Sequence, residues 1–211
     1  MKTLYMMRHG QTIFNVSGKI QGWCDSPLTN LGRQEAEEAG KWFREWNIAF
    51  DNAYSSTSER TFDTLEIVTG GLMDIVRVRG LKSWYFGKLE GNDVSLLPAF
   101  PYGSFPVQFH GEDQHEFVER IVKTVKGLMD MAHDYAVVLM VVDQEVSDLF
   151  YARYSQFSKV ENGLRPGDCL IFRYAFDGIT FYCEQVDALD FSHLRQEESQ
   201  AVYITEEEGE V

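Results

Sequence analysis

The sequence predicts a three-layer α/β/α fold, with a mostly parallel central sheet and helices on both faces. Three observations predict it. Short apolar runs end abruptly at polar or glycine residues, as strands buried on both faces do. Segments with three- and four-residue apolar spacing separate those runs. The two kinds of segment alternate along the chain, and that alternation favours parallel strands linked by helical crossovers. The composition is that of a folded chain: 211 residues, 44% hydrophobic and 25% charged. One large α/β domain over residues 1–195 accounts for it, with an acidic tail over 196–211.

Leu4–Met7 opens the chain as a buried strand that stops at Arg8-His9-Gly10. From Thr29 to Trp46 the pattern is helical: Thr29 suits an N-cap, and Ala36, Ala39, Trp42, Phe43 and Trp46 share a stripe. Phe50–Tyr54 reads as a second strand. Ser56–Val68 reads as a helix closed by Gly70-Gly71, and Ile75–Val78 as a third strand. Residues 89–111 carry three of the five prolines and a set of aromatics, as expected of a lid or binding loop. Glu112–Met131 is helical, Val137–Val142 is the most β-like run, and Val146–Phe157 is again helical. Cys169–Tyr174 and Ile179–Cys183 flank Asp177-Gly178, a strong hairpin signal.

Charge narrows the function. Nineteen basic residues against 33 acidic ones give −14, so neither nucleic acid nor an anionic membrane is an expected partner. Nine acids and only Arg195 as a base fall between Glu184 and Val211, and the tail is expected to do no more than solubilise. Cys24, Cys169 and Cys183 form no CxxC, which argues against a disulfide framework and for a reducing compartment. The N-terminal apolar stretch is too short for a signal segment, and the eight-residue run Tyr135–Val142 is too short to span a bilayer. A cytoplasmic protein is expected. Without HxH, HExxH or a carboxylate triad, neither a metal nor another cofactor is implied. Oligomeric state is not readable.

In parallel sheets, ligands bind beyond the carboxyl ends of the strands. That rule gathers Arg8-His9, the segment Ser55–Arg60 and Asp143 at one edge. Arg8-His9-Gly10-Gln11-Thr12 with Asn15 resembles the RHG[EQ][ST]xxN signature of the histidine phosphatase superfamily, the phosphoglycerate-mutase-like phosphatases. Asp25–Ala36 is similar to its D-x-P-L-T-x-x-G-x-x-Q-A stretch, and Ser55–Thr64 to its S-x-x-x-R-x-x-x-T element. Leu81–Gly91 resembles L-x-E-x-x-F-G-x-x-E-G, and Gly111-Glu112 the GES element.

The resemblance implies His9 as a phosphohistidine nucleophile, with Arg8 and Arg60 clamping the phosphoryl oxygens. Thr12, Asn15 and Gln11 would supply neutral contacts. The chemistry agrees: phosphoryl transfer needs a nucleophile and stabilisation of oxygen charge, and guanidiniums stay charged and bind bidentately.

Two positions break the pattern. Ser83 stands where the family has an acidic glutamate, and Asp143 where it has a second histidine. An anion about 4 Å from a phosphoryl group is repelled by roughly 4 kcal/mol at an effective dielectric near 20. Asp143 is then protonated when phosphate binds, turned away, or seated in the Arg8/Arg60 clamp in place of phosphate. Substitute acids could come from Glu90, Asp93 or Glu112, though the first two suit solvated loop positions better and the third a helix start. His110 and His115 could reach a ligand from the loop, or sit on the surface. The aromatics of 84–109 could line a pocket, or pack as core. Arg33, Arg153 and Arg165 are expected at the surface.

The expected function is a phosphatase acting on a small phosphate monoester with weakened acid catalysis. Its alternative is an impaired relative that binds a phosphorylated ligand or partner without turnover. A mutase is expected less, because the chain lacks the long insertion that cofactor-dependent mutases carry after the Phe86-Gly87 element.

Overall fold

The computed structural model describes residues 1–160 and 169–194. The acidic tail and Arg165 lie outside them. Six strands form one sheet: β1 (Lys2–Arg8), β2 (Asn52–Ser55), β3 (Ile75–Arg77), β4 (Val137–Val142), β5 (Cys169–Phe176) and β6 (Phe181–Leu189), in the order β3-β2-β4-β1-β5-β6. Among the described residues the α-helices are α1 (Ile13–Val16), α2 (Asn30–Glu45), α3 (Glu59–Thr69), α4 (Gln114–Met131) and α5 (Gln144–Tyr154), of which α2 to α5 pack on the sheet.

The α/β/α layering is as expected, but the sheet is mixed rather than mostly parallel. β3, β2, β4 and β1 pair in parallel, whereas β5 pairs antiparallel with both β1 and β6. The Asp177-Gly178 turn makes the β5/β6 pair antiparallel. The Asp177 carboxylate accepts from the Ile179 and Thr180 amides at 2.8 Å, and Gly178 takes φ +97. A tight turn reverses the chain, so no crossover is available to make this pair parallel.

Alternate residues of β1 feed two cores. Tyr5 and Met7 pack with Ala36, Ala39 and Phe43 of α2 and Leu65 and Val68 of α3. Leu4 and Met6 pack on the other face with Phe117, Ile121 and Val125 of α4 and Phe150 of α5. This period-2 partition fixes the strand register, because a one-residue slip would exchange the two faces. Trp84 and Phe86 are fully buried, and Trp84 stacks on Phe117 with centroids 4.9 Å apart. Both belong to the core, and Phe86 also lines, with Tyr102, the cleft that His9 borders, while Phe100 is exposed.

Helix ends follow the sequence signals. The Thr29 hydroxyl accepts from the Gly32 amide at the start of α2, and Gly70 ends α3 in the left-handed conformation. Residues 89–111 form short 3-10 turns rather than a bare loop, at Val94–Leu96 and Phe105–Phe109. Among the described residues, no helix is long and apolar enough to cross a membrane.

Candidate active site

The register builds the site. Arg8 pairs with Val142 and Ser55 with Val141, so the residues that follow β1, β4 and β2 emerge together at one sheet edge. The His9 amide extends the ladder by donating to the Val142 carbonyl at 3.1 Å, which sets His9 beside Asp143. Gly10 is required here: a Cβ on it would lie 2.1 Å from the Gly32 carbonyl oxygen, and one on Gly32 would lie 2.0 Å from that of Gln11. The start of α2 therefore packs directly on the segment that carries His9.

His9 is buried, at 6% exposure. Its Nδ1 lies 2.7 Å from the Gly10 carbonyl oxygen. A carbonyl only accepts, so Nδ1 carries the hydrogen and Nε2 is the nitrogen turned toward the cleft side occupied by Asp143. Burial holds the imidazole below its ordinary pKa, while Asp143 opposes that shift. The nucleophilic form is a neutral ring with its lone pair on Nε2; opposite the Asp143 carboxylate oxygen that nitrogen favours a hydrogen instead, so the lone pair is free only once Asp143 withdraws.

Nε2 faces Asp143 Oδ1 at 3.3 Å. The same oxygen accepts from Arg60 Nε at 2.7 Å and pairs with its second terminal nitrogen at 2.6 Å. Burial acts to raise the Asp143 pKa, but Arg60 and His9 outweigh it and hold the carboxyl down at about 2. Oδ2 is buried without a protein hydrogen-bond partner.

Arg60, at the start of α3, is fully buried. Its Nη1 donates to the Cys24 carbonyl at 3.1 Å and to Asp25 Oδ1 at 2.8 Å, and its Nη2 donates to the Gly22 carbonyl at 2.9 Å. Gln21 completes the cage. With its amide nitrogen donating to Ser26 and Thr12, an orientation set by those neighbours, its oxygen accepts from Arg60 Nε at 2.8 Å. Each nitrogen of the guanidinium thus has an acceptor within the protein. Arg8 differs: it lines a cleft of about 120 Å³ together with His9, Asn15, Asp143, Glu145 and Tyr102, and its side chain makes no ion pair with a described residue.

The other candidates fall into two groups. Asn15 lines the cleft, but its Oδ1 accepts from the Thr12 amide at 2.9 Å, so only its amide nitrogen can face a ligand. Fully buried Thr12 is the reciprocal partner, the N-cap of α1 in a capping box with Asn15. Gln11 hydrogen-bonds Thr29 through Oε1 at 2.9 Å and does not line the cleft.

Glu90 is also absent from the cleft lining. Its carboxylate accepts from the amides of Trp23 (2.9 Å), Phe86 (3.2 Å) and Cys24, tying residues 22–24 to the Phe86 turn. Glu112 grips Arg120 through both oxygens, at 2.8 and 2.7 Å. Asp93 is exposed and accepts from Ser95. His110 and His115 are exposed and do not line the cleft.

Ser83 is buried, and its hydroxyl donates to Glu145 Oε2 at 3.5 Å. Glu145, in the first turn of α5, is a residue that sequence reasoning missed. Burial, and then the Asp143 carboxylate, push its pKa up to about 7. The signal available in the sequence was its spacing, two residues beyond Asp143 at the strand end. No group of three or more metal-ligating side chains occurs among the described residues.

An imidazole at the tip of a central strand and two arginines from different segments stand together at one edge of an α/β/α frame. The chain belongs to the histidine phosphatase superfamily (branch 1), whose profile matches residues 4–178. It is 33% identical over 119 residues to a 2,3-bisphosphoglycerate-dependent phosphoglycerate mutase of Hydrogenobaculum sp. (strain Y04AAS1), covering 54% of this chain and 44% of the mutase. The chain matches less than half the length of such curated relatives. Among solved structures, Bacillus stearothermophilus YhfR is similar, with TM-score 0.73, 29% identity, and 87% and 95% of the two chains covered. A phosphoserine phosphatase from Entamoeba histolytica, solved with phosphoserine, shares the fold at TM-score 0.70 and 22% identity, with 88% and 96% covered.

Proposed function

We propose that this chain is a phosphohydrolase for small phosphate monoesters that works through a phosphohistidine at His9, held to low turnover by Asp143. One observation carries the reading: Asp143 Oδ1 lies 3.3 Å in front of His9 Nε2 while engaging two nitrogens of Arg60. A near-attack pair of reacting atoms has a separation of about 3–3.5 Å. The carboxylate therefore fills the place of an entering phosphoryl group, with one oxygen held by two nitrogens of Arg60.

Turnover requires exchange. Arg8, the uncommitted cation, receives the phosphate first, and the Asn15 amide adds a donor. Asp143 then yields Arg60. Losing that partner to a second anion raises the Asp143 pKa, so the exchange is easier when the carboxyl takes a proton. The His9 Nε2 lone pair attacks phosphorus, the bond to the leaving oxygen breaks, and water later releases phosphate from the ring. Turnover should accordingly rise as pH falls from 8 to 5.

A second reading is favoured by the acceptors that already surround Arg60: a relative that binds a phosphorylated ligand through Arg8 without turnover. One experiment separates the two, namely hydrolysis of p-nitrophenyl phosphate and of a phosphoramidate across pH 5 to 8. Activity abolished by His9→Ala establishes the phosphohydrolase. No activity in the wild type, with recovery in an Asp143→His, Ser83→Glu variant, establishes the silent relative.

A further inference from the structure

We propose that Glu145 is the general acid and base of this site, supplying from the start of α5 the carboxyl that the family pattern places at position 83. The inference rests on the phosphohydrolase reading above and adds the proton donor that reading lacks.

The geometry is a substitution in space rather than in sequence. At position 83 a serine ends at Oγ, well short of where a glutamate would carry its carboxyl. The carboxyl of Glu145 reaches that hydroxyl from the opposite side, with Oε2 at 3.5 Å. It belongs to the same cleft wall as Arg8, His9 and Asp143. The acids suggested by sequence are engaged elsewhere: Glu90 by backbone amides, Glu112 by Arg120 and Asp93 by Ser95.

Its surroundings suit a proton carrier near neutrality. Asp143 from the end of β4 and Asp148 one turn along α5 disfavour its ionisation, as does burial. Arg8 from β1 opposes them. Tyr102, from the 89–111 segment, also faces Glu145, whose charge helps to push the phenol up. Ser83 contributes a neutral donor that leaves the second carboxyl oxygen to carry the proton.

The step balances. The His9 Nε2 lone pair forms the N–P bond, the P–O bond to the leaving group breaks, and the Glu145 proton passes to the departing oxygen. In the second half, Glu145 carboxylate takes a proton from water as that water attacks phosphorus, the N–P bond breaks, and the electron pair returns to Nε2. The sum is ester plus water giving alcohol plus phosphate.

The test compares Glu145→Gln with wild type on glycerol phosphate, whose alkoxide needs a proton, and on p-nitrophenyl phosphate, whose phenolate leaves readily. The alkyl ester should lose about 10²–10³-fold in kcat, and the aryl ester about tenfold or less. The part of the rate loss above pH 7 that is larger for the alkyl than for the aryl ester should vanish in the variant, while the fall that both esters share through Asp143 remains. Adding Ser83→Glu to Glu145→Gln should restore the alkyl rate. In parallel, the carboxyl band lost on Glu145→Gln in infrared spectra should titrate near pH 7.

Equal losses on the two esters, or a Glu145 carboxyl ionised by pH 5, overturn the acid while leaving the His9 reading intact. Absence of His9-dependent turnover in both wild type and Asp143→His overturns the two together.

Discussion

The two arginines of the site have opposite circumstances. Arg60 is fully buried, its nitrogens engaged by Asp143, Asp25, Gln21 and the carbonyls of Gly22 and Cys24. Arg8 stands partly exposed on the cleft wall without an ion-pair partner among the described residues. An incoming anion would have to displace a carboxylate at the first guanidinium and no ion-pair partner among the described residues at the second. A motif gives both the same name, and only the acceptors around each decide its use.

The sharpest way to break this comparison is to truncate each arginine. Arg60→Met leaves Asp143 buried without its cation, which should cost about 3–5 kcal/mol. Arg8→Met lacks that penalty and should stay within about 0.5 kcal/mol of wild type. Urea unfolding followed by circular dichroism reads both. Equal losses would mean that Arg8 is also structural.

Next in size is the exchange at Arg60. Asp143→Asn removes the competing charge and keeps the shape, so inorganic phosphate should bind at least about tenfold more tightly, near 1.4 kcal/mol. Calorimetric titration measures it, and an unchanged affinity would show that the carboxylate does not compete.

A separate comparison lies in pH-dependent stability. Asp143 is held at about 2, below its ordinary 3.8, so its stabilisation is complete above pH 3.8 and disappears as pH falls toward 2. Glu145 has the opposite sign. Its carboxyl stays protonated in the fold up to about 7, while the unfolded chain ionises near 4.5, so stability falls as pH rises between those values. Glu145→Gln should match wild type at pH 4 and melt higher at pH 8. A variant that melts lower at pH 8 would show that the buried carboxyl is not a burden.

Much of the fold was legible because strand and helix periods are strong local signals. Leu4–Met7, Val137–Val142 and the Thr29 cap are examples. The mixed sheet was half legible: the Asp177-Gly178 hairpin was read, but its edge-wise attachment to β1 is a long-range choice that period does not encode. In the site, placing Arg8, His9, Arg60 and Asp143 at one edge followed from topology, and a seat for Asp143 in the clamp was one of three stated outcomes. Thr12 and Gln11 are expected as ligand contacts only through the family resemblance, which says nothing of their local partners. The four-residue α1 that consumes Thr12 leaves no periodic trace. Glu145 escaped because it falls at the junction between the Val137–Val142 strand and a helix expected only from Val146, where its sequence neighbours give it no partner. Gln21 escaped because only the folded cage reveals it.

The contact between Gly10 and Gly32 has a mechanical corollary. With backbone against backbone and no side chain between them, the loop bearing the imidazole has no slack of its own relative to the sixteen-residue α2. Force applied anywhere along that rod, by a bound partner or an engineered crosslink, arrives at the ring as displacement rather than being absorbed on the way.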